Sequence, residues 1–308
     1  MSPELPTGFH PDLANPAPAA TPSRWTPADC KALIAWLIVA LTLPGLTIYG
    51  VAYLIGLDLH APTLTVKNEL LLKGIAALFV LLATWMASRI QKRRLDDYGI
   101  PLRQAFGWRF WEGALWGFSM LSLLLFPLLA AGHFHVGSVA LKGGMFLGYA
   151  LGWWLGFVCV SVHEELTFRG YLLFIAARRI RFWRAAIALS IGFAAAHLPN
   201  PGETFFGILQ VLGTGLLFCF MIRRTGNLWF VLGFHAAWDW AQTFFYGTAD
   251  SGLKSVGYFL NTSTEGPRWL TGGSTGPEGS VLSLIILLLA ALLMHFRFPK
   301  ALYPDRPA

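Results

Sequence analysis

A small set of ionisable residues lies within segments of this chain that are otherwise apolar. The set consists of Glu164, Glu165, Arg169, His197, His235 and Asp239. A charged side chain at the centre of a membrane helix costs roughly 2.5 to 3.5 kcal/mol on insertion scales, so such residues usually mark a functional site that faces a polar cavity. Three segments that contribute them at a matching depth are expected to form one site.

The spacing of these residues separates two kinds of role. Glu165 and Arg169 are four residues apart on a helix, so they share a face and can neutralise each other as structural support. Glu164 is rotated from Glu165 by about 100° and is free for chemistry. His235 and Asp239 form a second pair of this spacing. The carboxylate can fix the imidazole tautomer or join it in binding a metal.

The composition indicates a membrane protein. The chain is 55% hydrophobic and only 13% charged, with 13 tryptophans, whereas soluble domains average about 25% charged residues. The formal charge is +7, but the basic residues form short clusters between apolar runs, which the positive-inside rule explains. Without an extended basic face, we expect no nucleic-acid partner. The expected surroundings are a lipid bilayer.

The apolar runs predict an all-α, polytopic bundle of about eight transmembrane helices, each near 20 residues long. The fourth run is too long for one straight span, and we expect it to continue beyond the bilayer. Lys73 lies close to the start of the second run, where a lysine is expected to snorkel to the interface. The predicted spans are 31–56, 68–89, 110–131, 144–177, 183–198, 204–222, 228–247 and 281–296.

The same pattern predicts three regions. A proline-rich tail over 1–29 is expected to be disordered. The transmembrane helical domain covers 30–298 with its motif core at 144–247, and a short tail covers 299–308. Lys and Arg cluster in alternate connections, which predicts a multi-pass protein of the cell membrane with both termini in the cytoplasm.

The depth of the unusual residues follows from this orientation. Counted from the basic clusters at 1.5 Å per residue, Glu164 and His197 lie roughly 20 Å into the bilayer, and His235 and Asp239 lie about 16 to 22 Å in. The four groups therefore occupy one layer and are the candidate catalytic residues.

Three motifs in this region resemble those of the CAAX prenyl protease and bacteriocin-processing proteins, also called the CPBP or Abi intramembrane proteases. The pattern of that family is E-E-x-x-x-R, then F-x-x-x-H, then H-x-x-x-N or D. Here it is carried by Glu164 to Arg169, by Phe193 and His197, and by His235 and Asp239. The resemblance covers about 144–247. It implies an eight-helix intramembrane endopeptidase that acts on membrane-associated proteins or peptides, with prenylated, CAAX-like sequences among its substrates.

The resemblance also implies roles for the site residues. Glu164 would be the general base that activates water, with His197 holding the water and His235 and residue 239 polarising the scissile carbonyl. The prenyl-protease branch usually has Asn where this chain has Asp239, and an ionised Asp cannot donate a hydrogen bond to an oxyanion. Asp239 would then orient His235 or bind a metal.

A metal cofactor is an open alternative. Glu164, His197, His235 and Asp239 could ligate a divalent ion such as zinc and leave a position for water, which would make the protein a metalloprotease. The chain has no H-E-x-x-H motif, so the paired histidines of a zincin helix are absent.

Two other functions use the same residues. A membrane immunity or chaperone-type protein would act by binding and keep the polar residues only to tie helices together. An ion-coupled transporter would use the carboxylates as a proton or ion relay, although the chain has no visible internal repeat.

Overall fold

The structure is a computed structural model that describes residues 25–59, 63–200, 202–303 and 305. The described part is mostly helical, with nine helices. They are α1 (Pro27–Ile55), α2 (Val66–Ile90), α3 (Trp108–Ala130), α4 (Gly143–Ile180), α5 (Phe182–His197), α6 (Phe205–Thr225), α7 (Trp229–Trp240), the short α8 (Arg268–Thr271) and α9 (Val281–Arg297). A π-helical turn, Ala241–Phe245, continues α7.

Five of these helices are long and apolar enough to cross a membrane: α1, α2, α3, α4 and α6. α5 and α9 are apolar but shorter. Large apolar side chains cover the outside of the bundle, including Leu54, Leu151 and Leu288, which are 80%, 62% and 72% exposed. Such a surface is suited to lipid rather than water. The chain is therefore a multi-pass membrane protein, and the eight predicted spans coincide with α1 to α7 and α9.

The N-terminal boundary differs from the prediction. α1 starts at Pro27, so 27–29 belong to a helix and not to the predicted disordered tail, of which 1–24 lie outside the described residues. The start is set by Thr26, whose hydroxyl accepts a hydrogen bond from the backbone N–H of Asp29 while the Asp29 carboxylate accepts one from Thr26 N–H. This capping box satisfies N–H groups that have no partner within the helix.

Short strands join the connections at one end of the bundle. β1 (Thr63–Leu64) pairs with β3 (Lys254–Ser255) in parallel, and β2 (Phe134–Val139) pairs antiparallel with β4 (Leu260–Thr264). Both β3 and β4 belong to residues 246–280, named here the outer connection. Its strands pair it with the connections before α2 and after α3.

The opposite end of the bundle, named here the basic end, carries arginines that bind neighbouring segments. Arg179 Nη2 lies 2.7 Å from Asp29 Oδ2 at the start of α1. Arg223 Nε donates to the carbonyl of Tyr303, and Arg297 Nη2 lies 3.0 Å from Glu112 Oε1. The starts of α1 and α3 and the ends of α4, α6 and α9 therefore meet at the same end.

α7 is the central helix of the bundle. All its residues are buried except His235 and Trp240. It crosses α3 at very short range because glycines face each other: a Cβ on Gly113 would lie 1.9 Å from the carbonyl oxygen of Phe230, and one on Gly233 would lie 1.9 Å from that of Phe110. Small residues commonly allow such close approach between membrane helices. This contact fixes α7 and with it His235.

Candidate active site

A cavity of about 370 Å³ lies between the helices near the outer connection. Its wall is built by α2, α4, α5, α6, α7 and the outer connection. The four candidate catalytic residues all line it: Glu164, His197, His235 and Asp239. The structure thus brings together residues from three separate helices, as the depth comparison predicted. Their catalytic roles remain a prediction at this point.

Glu164 forms an ion pair with Lys73, a residue that was expected at the membrane interface. Lys73 Nζ lies 3.0 Å from Glu164 Oε1 and donates a hydrogen bond to it. The expectation that Lys73 snorkels to the interface is wrong, because its ammonium group points into the cavity from α2. The pairing offsets part of the cost of holding an ionised carboxylate inside an apolar bundle.

Glu165 and Arg169 form the expected ion pair. Arg169 Nη1 lies 2.9 Å from both Glu165 oxygens, and the two side chains are 1% and 0% exposed. The guanidinium also lies over the ring of Phe193 on α5, 4.0 Å from its centroid, which joins α4 to α5. The backbone between the paired residues is π-helical over Leu166–Gly170, an irregularity that often occurs at functional sites.

His235 is held by two carboxylates rather than one. Its Nδ1 lies 2.8 Å from Glu165 Oε1, and its Nε2 lies 3.3 Å from Asp239 Oδ2. Its Nε2 is also 3.9 Å from Glu164 Oε2. The sequence predicted that Asp239 orients the ring. The shorter contact belongs to Glu165, which Arg169 fixes in place, so Glu165 supports the site as well as the fold.

His197 lies at the last turn of α5. Its Nδ1 is 2.8 Å from the carbonyl oxygen of Phe193, and the rings of the two residues pack with centroids 4.5 Å apart. A carbonyl oxygen only accepts hydrogen bonds, so Nδ1 carries the proton. In the neutral ring Nε2 is then a free acceptor, which suits it to hold a water hydrogen.

The predicted metal ligands do not form a metal-binding group. Within the described residues, no three His, Cys, Asp or Glu side chains are arranged to hold a metal ion. Both nitrogens of His235 already contact carboxylates: Nδ1 contacts Glu165 and Nε2 contacts Asp239. The Lys73 ammonium contacts one oxygen of Glu164. A cation on that oxygen would repel a divalent ion. The arrangement of these side chains therefore does not fit zinc.

The cavity is also lined by three acidic residues that were not predicted from the sequence. Glu69 comes from α2, and Asp250 and Glu278 come from the outer connection. Glu69 could have been found, because it precedes Lys73 by one helical turn within an apolar run. The local sequence does not indicate that Asp250 and Glu278 line the cavity, because their burial depends on how the outer connection folds over the helix ends.

The two acids of the outer connection are held by hydrogen bonds. Thr243 Oγ1 donates to Asp250 Oδ2 at 2.9 Å, and the backbone N–H of Ser251 donates to Glu278 Oε1. Burial raises the pKa of Asp250 well above its usual range, with further contributions from Asp239 and Glu278. Burial likewise raises the pKa of Glu278 to about 7, although the Ser251 N–H opposes the shift.

One comparison with known proteins found a match, to part of the chain. Residues 146–241 match the family described as Type II CAAX prenyl endopeptidase Rce1-like. The matched range includes all four candidate catalytic residues and the Glu165–Arg169 pair. Neither the curated proteins nor the solved structures contain a match to the chain.

Proposed function

We propose that the protein is an intramembrane endopeptidase in which Glu164 activates water, because residues 146–241 match the Rce1-like type II CAAX prenyl endopeptidase family. The observation that carries the proposal is the shared cavity: Glu164, His197 and His235, from three helices, face one hollow inside the bundle.

The geometry supports a glutamate-base hydrolysis. A water held between the Glu164 carboxylate and His197 Nε2 gives its proton to Glu164 as its oxygen attacks the scissile carbonyl carbon. The carbonyl π electrons move to oxygen and form a tetrahedral oxyanion. When that intermediate collapses, the C–N bond breaks and the proton on Glu164 passes to the leaving amine. The products are a new carboxyl terminus and a new amino terminus.

The support for a membrane-associated peptide substrate is the size and position of the cavity. A volume of about 370 Å³ is at the lower end of small-ligand pockets, so it fits a short extended peptide and excludes a folded domain. It lies within helices that cross the membrane, where a lipid anchor would deliver the peptide. A prenylated CAAX-like sequence is the substrate class that the family favours.

The proposed orientation places the basic end and both termini in the cytoplasm. It is supported by the arginines gathered at that end, which include Arg179, Arg223 and Arg297. The cavity is lined by the outer connection and by none of these arginines, so it lies nearer the non-cytoplasmic side.

The test is peptide cleavage by the purified protein in lipid nanodiscs. The probes are an internally quenched peptide with a farnesylated CAAX terminus and the same peptide without the lipid. We expect the wild type to cleave, and Glu164→Gln to lose at least roughly 100-fold in rate.

The matched control is Glu112→Gln. Glu112 is another buried carboxylate, paired with Arg109 and Arg297 at the basic end, outside the cavity. Its variant should cleave like the wild type. Cleavage by Glu164→Gln at the wild-type rate would refute the assignment of the base. Absence of cleavage by the wild type on both probes would favour a protein that acts by binding.

A further inference from the structure

We propose that Lys73 is a catalytic residue, whose ammonium group donates hydrogen bonds to the scissile carbonyl oxygen as that oxygen becomes the tetrahedral oxyanion. The inference rests on the proposed function, because it assigns a further group to the same hydrolysis. It concerns a residue on α2, outside the 146–241 range that the family match covers.

The first observation is the placement of Lys73. It lies in the second turn of α2, lines the cavity and has its Nζ 3.0 Å from Glu164 Oε1. About a third of its side chain is exposed, at 32%, whereas Glu164 is 16% exposed. An ammonium group has three donors, and one is used by Glu164. The other donors are available to a molecule in the cavity.

The second observation is that the other groups expected at the oxyanion cannot donate to it. If His235 is neutral with its proton on Nδ1, that N–H is directed at Glu165 and Nε2 is an acceptor. If it is doubly protonated, the Nε2–H is directed at Asp239. Ionised Asp239 is itself only an acceptor. In neither protonation state does this pair present a free donor.

The remaining donors are weaker or engaged. His197 Nδ1–H is directed at the Phe193 carbonyl, and Arg169 does not line the cavity. The cavity is also lined by His163, Thr214, Asn200 and Gln210, and an imidazole, a hydroxyl and an amide are neutral donors. Charged donors form hydrogen bonds roughly twice as strong as neutral ones. Among the described residues that line the cavity, Lys73 is therefore the charged donor best able to stabilise an oxyanion.

The third observation is the distance between the base and the cation. Because Nζ is in contact with Glu164, a carbonyl oxygen bound to Nζ brings its carbon next to the water on Glu164. During attack the proton moves from water to Glu164, and the negative charge moves from that carboxylate to the carbonyl oxygen. Lys73 therefore faces one anion before and after the step, and no additional charge has to be buried. Collapse of the intermediate returns the negative charge to Glu164 as the proton passes to the leaving amine.

The test compares Lys73→Met with Lys67→Met on the farnesylated quenched peptide. Lys67 lies on the same helix and is exposed, so it controls for loss of a lysine from α2. We expect Lys73→Met to lower kcat by roughly 100- to 1000-fold, the usual effect of removing an oxyanion donor. KM should change by less than about threefold, because the interaction forms only in the transition state. Lys67→Met should match the wild type.

A second measurement separates oxyanion binding from a structural role. A peptide phosphonate resembles the anionic tetrahedral intermediate, and the matched peptide with a hydroxymethylene group is tetrahedral but neutral. Wild-type protein should bind the phosphonate at least roughly 100-fold more tightly than the neutral peptide. Lys73→Met should lose most of this difference, and Lys73→Gln, which keeps a neutral donor, should lose part of it.

The outcomes distinguish this inference from the proposed function. If the wild type cleaves, Glu164→Gln does not, and Lys73→Met cleaves at the wild-type rate, the role of Lys73 is refuted while the proposed function stands. Equal weakening of both peptide ligands in Lys73→Met would make the lysine a structural partner of Glu164. If the variants do not fold, equal binding of the two peptides by the wild type alone overturns the inference.

Discussion

The crossing of α3 and α7 offers a sharp test of how the fold positions the site. Gly233→Ala would place a Cβ 1.9 Å from the carbonyl oxygen of Phe110 and 2.9 Å from the backbone nitrogen of Ala114. Cβ atoms essentially never come within 3.0 Å of such atoms, so the two helices must separate by at least about 1.1 Å. The obstacle is backbone, and no side-chain rotation can relieve it.

The consequences can be estimated for both stability and activity. Overpacking of a well-packed interior costs about 1 to 3 kcal/mol. His235 follows Gly233 by two residues on the same helix and holds a 2.8 Å contact with Glu165 on α4. A displacement of about 1 Å at a catalytic group can lower the rate roughly 100-fold. We therefore expect Gly233→Ala to lose both thermal stability and cleavage.

The assay is thermal unfolding in detergent together with cleavage of the farnesylated peptide. Gly148→Ala is the matched control, because Gly148 lies in a helix and a Cβ there meets nothing within 4 Å. The free energy of unfolding of that control should rise by up to about 1 kcal/mol, because Ala has a higher helix propensity than Gly, and its activity should be unchanged. If Gly233→Ala behaved like Gly148→Ala, the close crossing of α3 and α7 would be wrong.

Two further predictions concern buried charges. Arg169→Met removes the guanidinium that neutralises the buried Glu165 carboxylate, leaving it with its contact to His235 Nδ1, and should lower the free energy of unfolding by about 3 to 5 kcal/mol. The double variant Glu165→Gln with Arg169→Met should recover part of this loss in thermal unfolding, and no recovery would mean that Arg169 acts through Phe193 instead. Burial raises the pKa of Glu278 from 4.5 to about 7, so between these pH values the folded protein keeps a proton that the unfolded chain releases. The stability that is present below pH 4.5 is therefore lost as the pH rises through 7. Glu278→Gln should remove this loss, so its free energy of unfolding should exceed that of the wild type by up to about 3 kcal/mol at pH 8. Parallel pH profiles of unfolding for the two proteins would contradict the burial of an acid at this position.

The helical frame could be predicted from the sequence because its signal is local. Each span is an apolar run ended by polar or basic residues, and the observed helices begin and end within a few residues of the predicted limits. The convergence of Glu164, His197 and His235 could also be predicted, since a fixed rise per residue converts distance from a basic cluster into depth. The pair of Glu165 and Arg169 followed from helical spacing alone.

What could not be predicted depends on contacts between distant segments. The direction of Lys73 is set by the packing of α2 against α4, and a lysine near the end of a span ordinarily turns to the interface. The burial of Asp250 and Glu278 arises from strands β3 and β4, which hold the outer connection over the helix ends. The short contact between His235 and Glu165 joins residues that are far apart in sequence.

The presence of Lys73 in the cavity and that of Asp239 are chemically related. An acid at 239 removes the amide donor that the prenyl-protease pattern would place beside His235, and it adds a carboxylate to a cavity that already holds Glu69 and Glu164. In the proposed mechanism the Lys73 cation from α2 corrects both effects, because it supplies a donor for the oxyanion and balances one of the carboxylates. Without Lys73, the proposed hydrolysis would have a base but no charged donor. Without the acids, the ammonium group would be buried in a membrane helix with nothing to offset its desolvation.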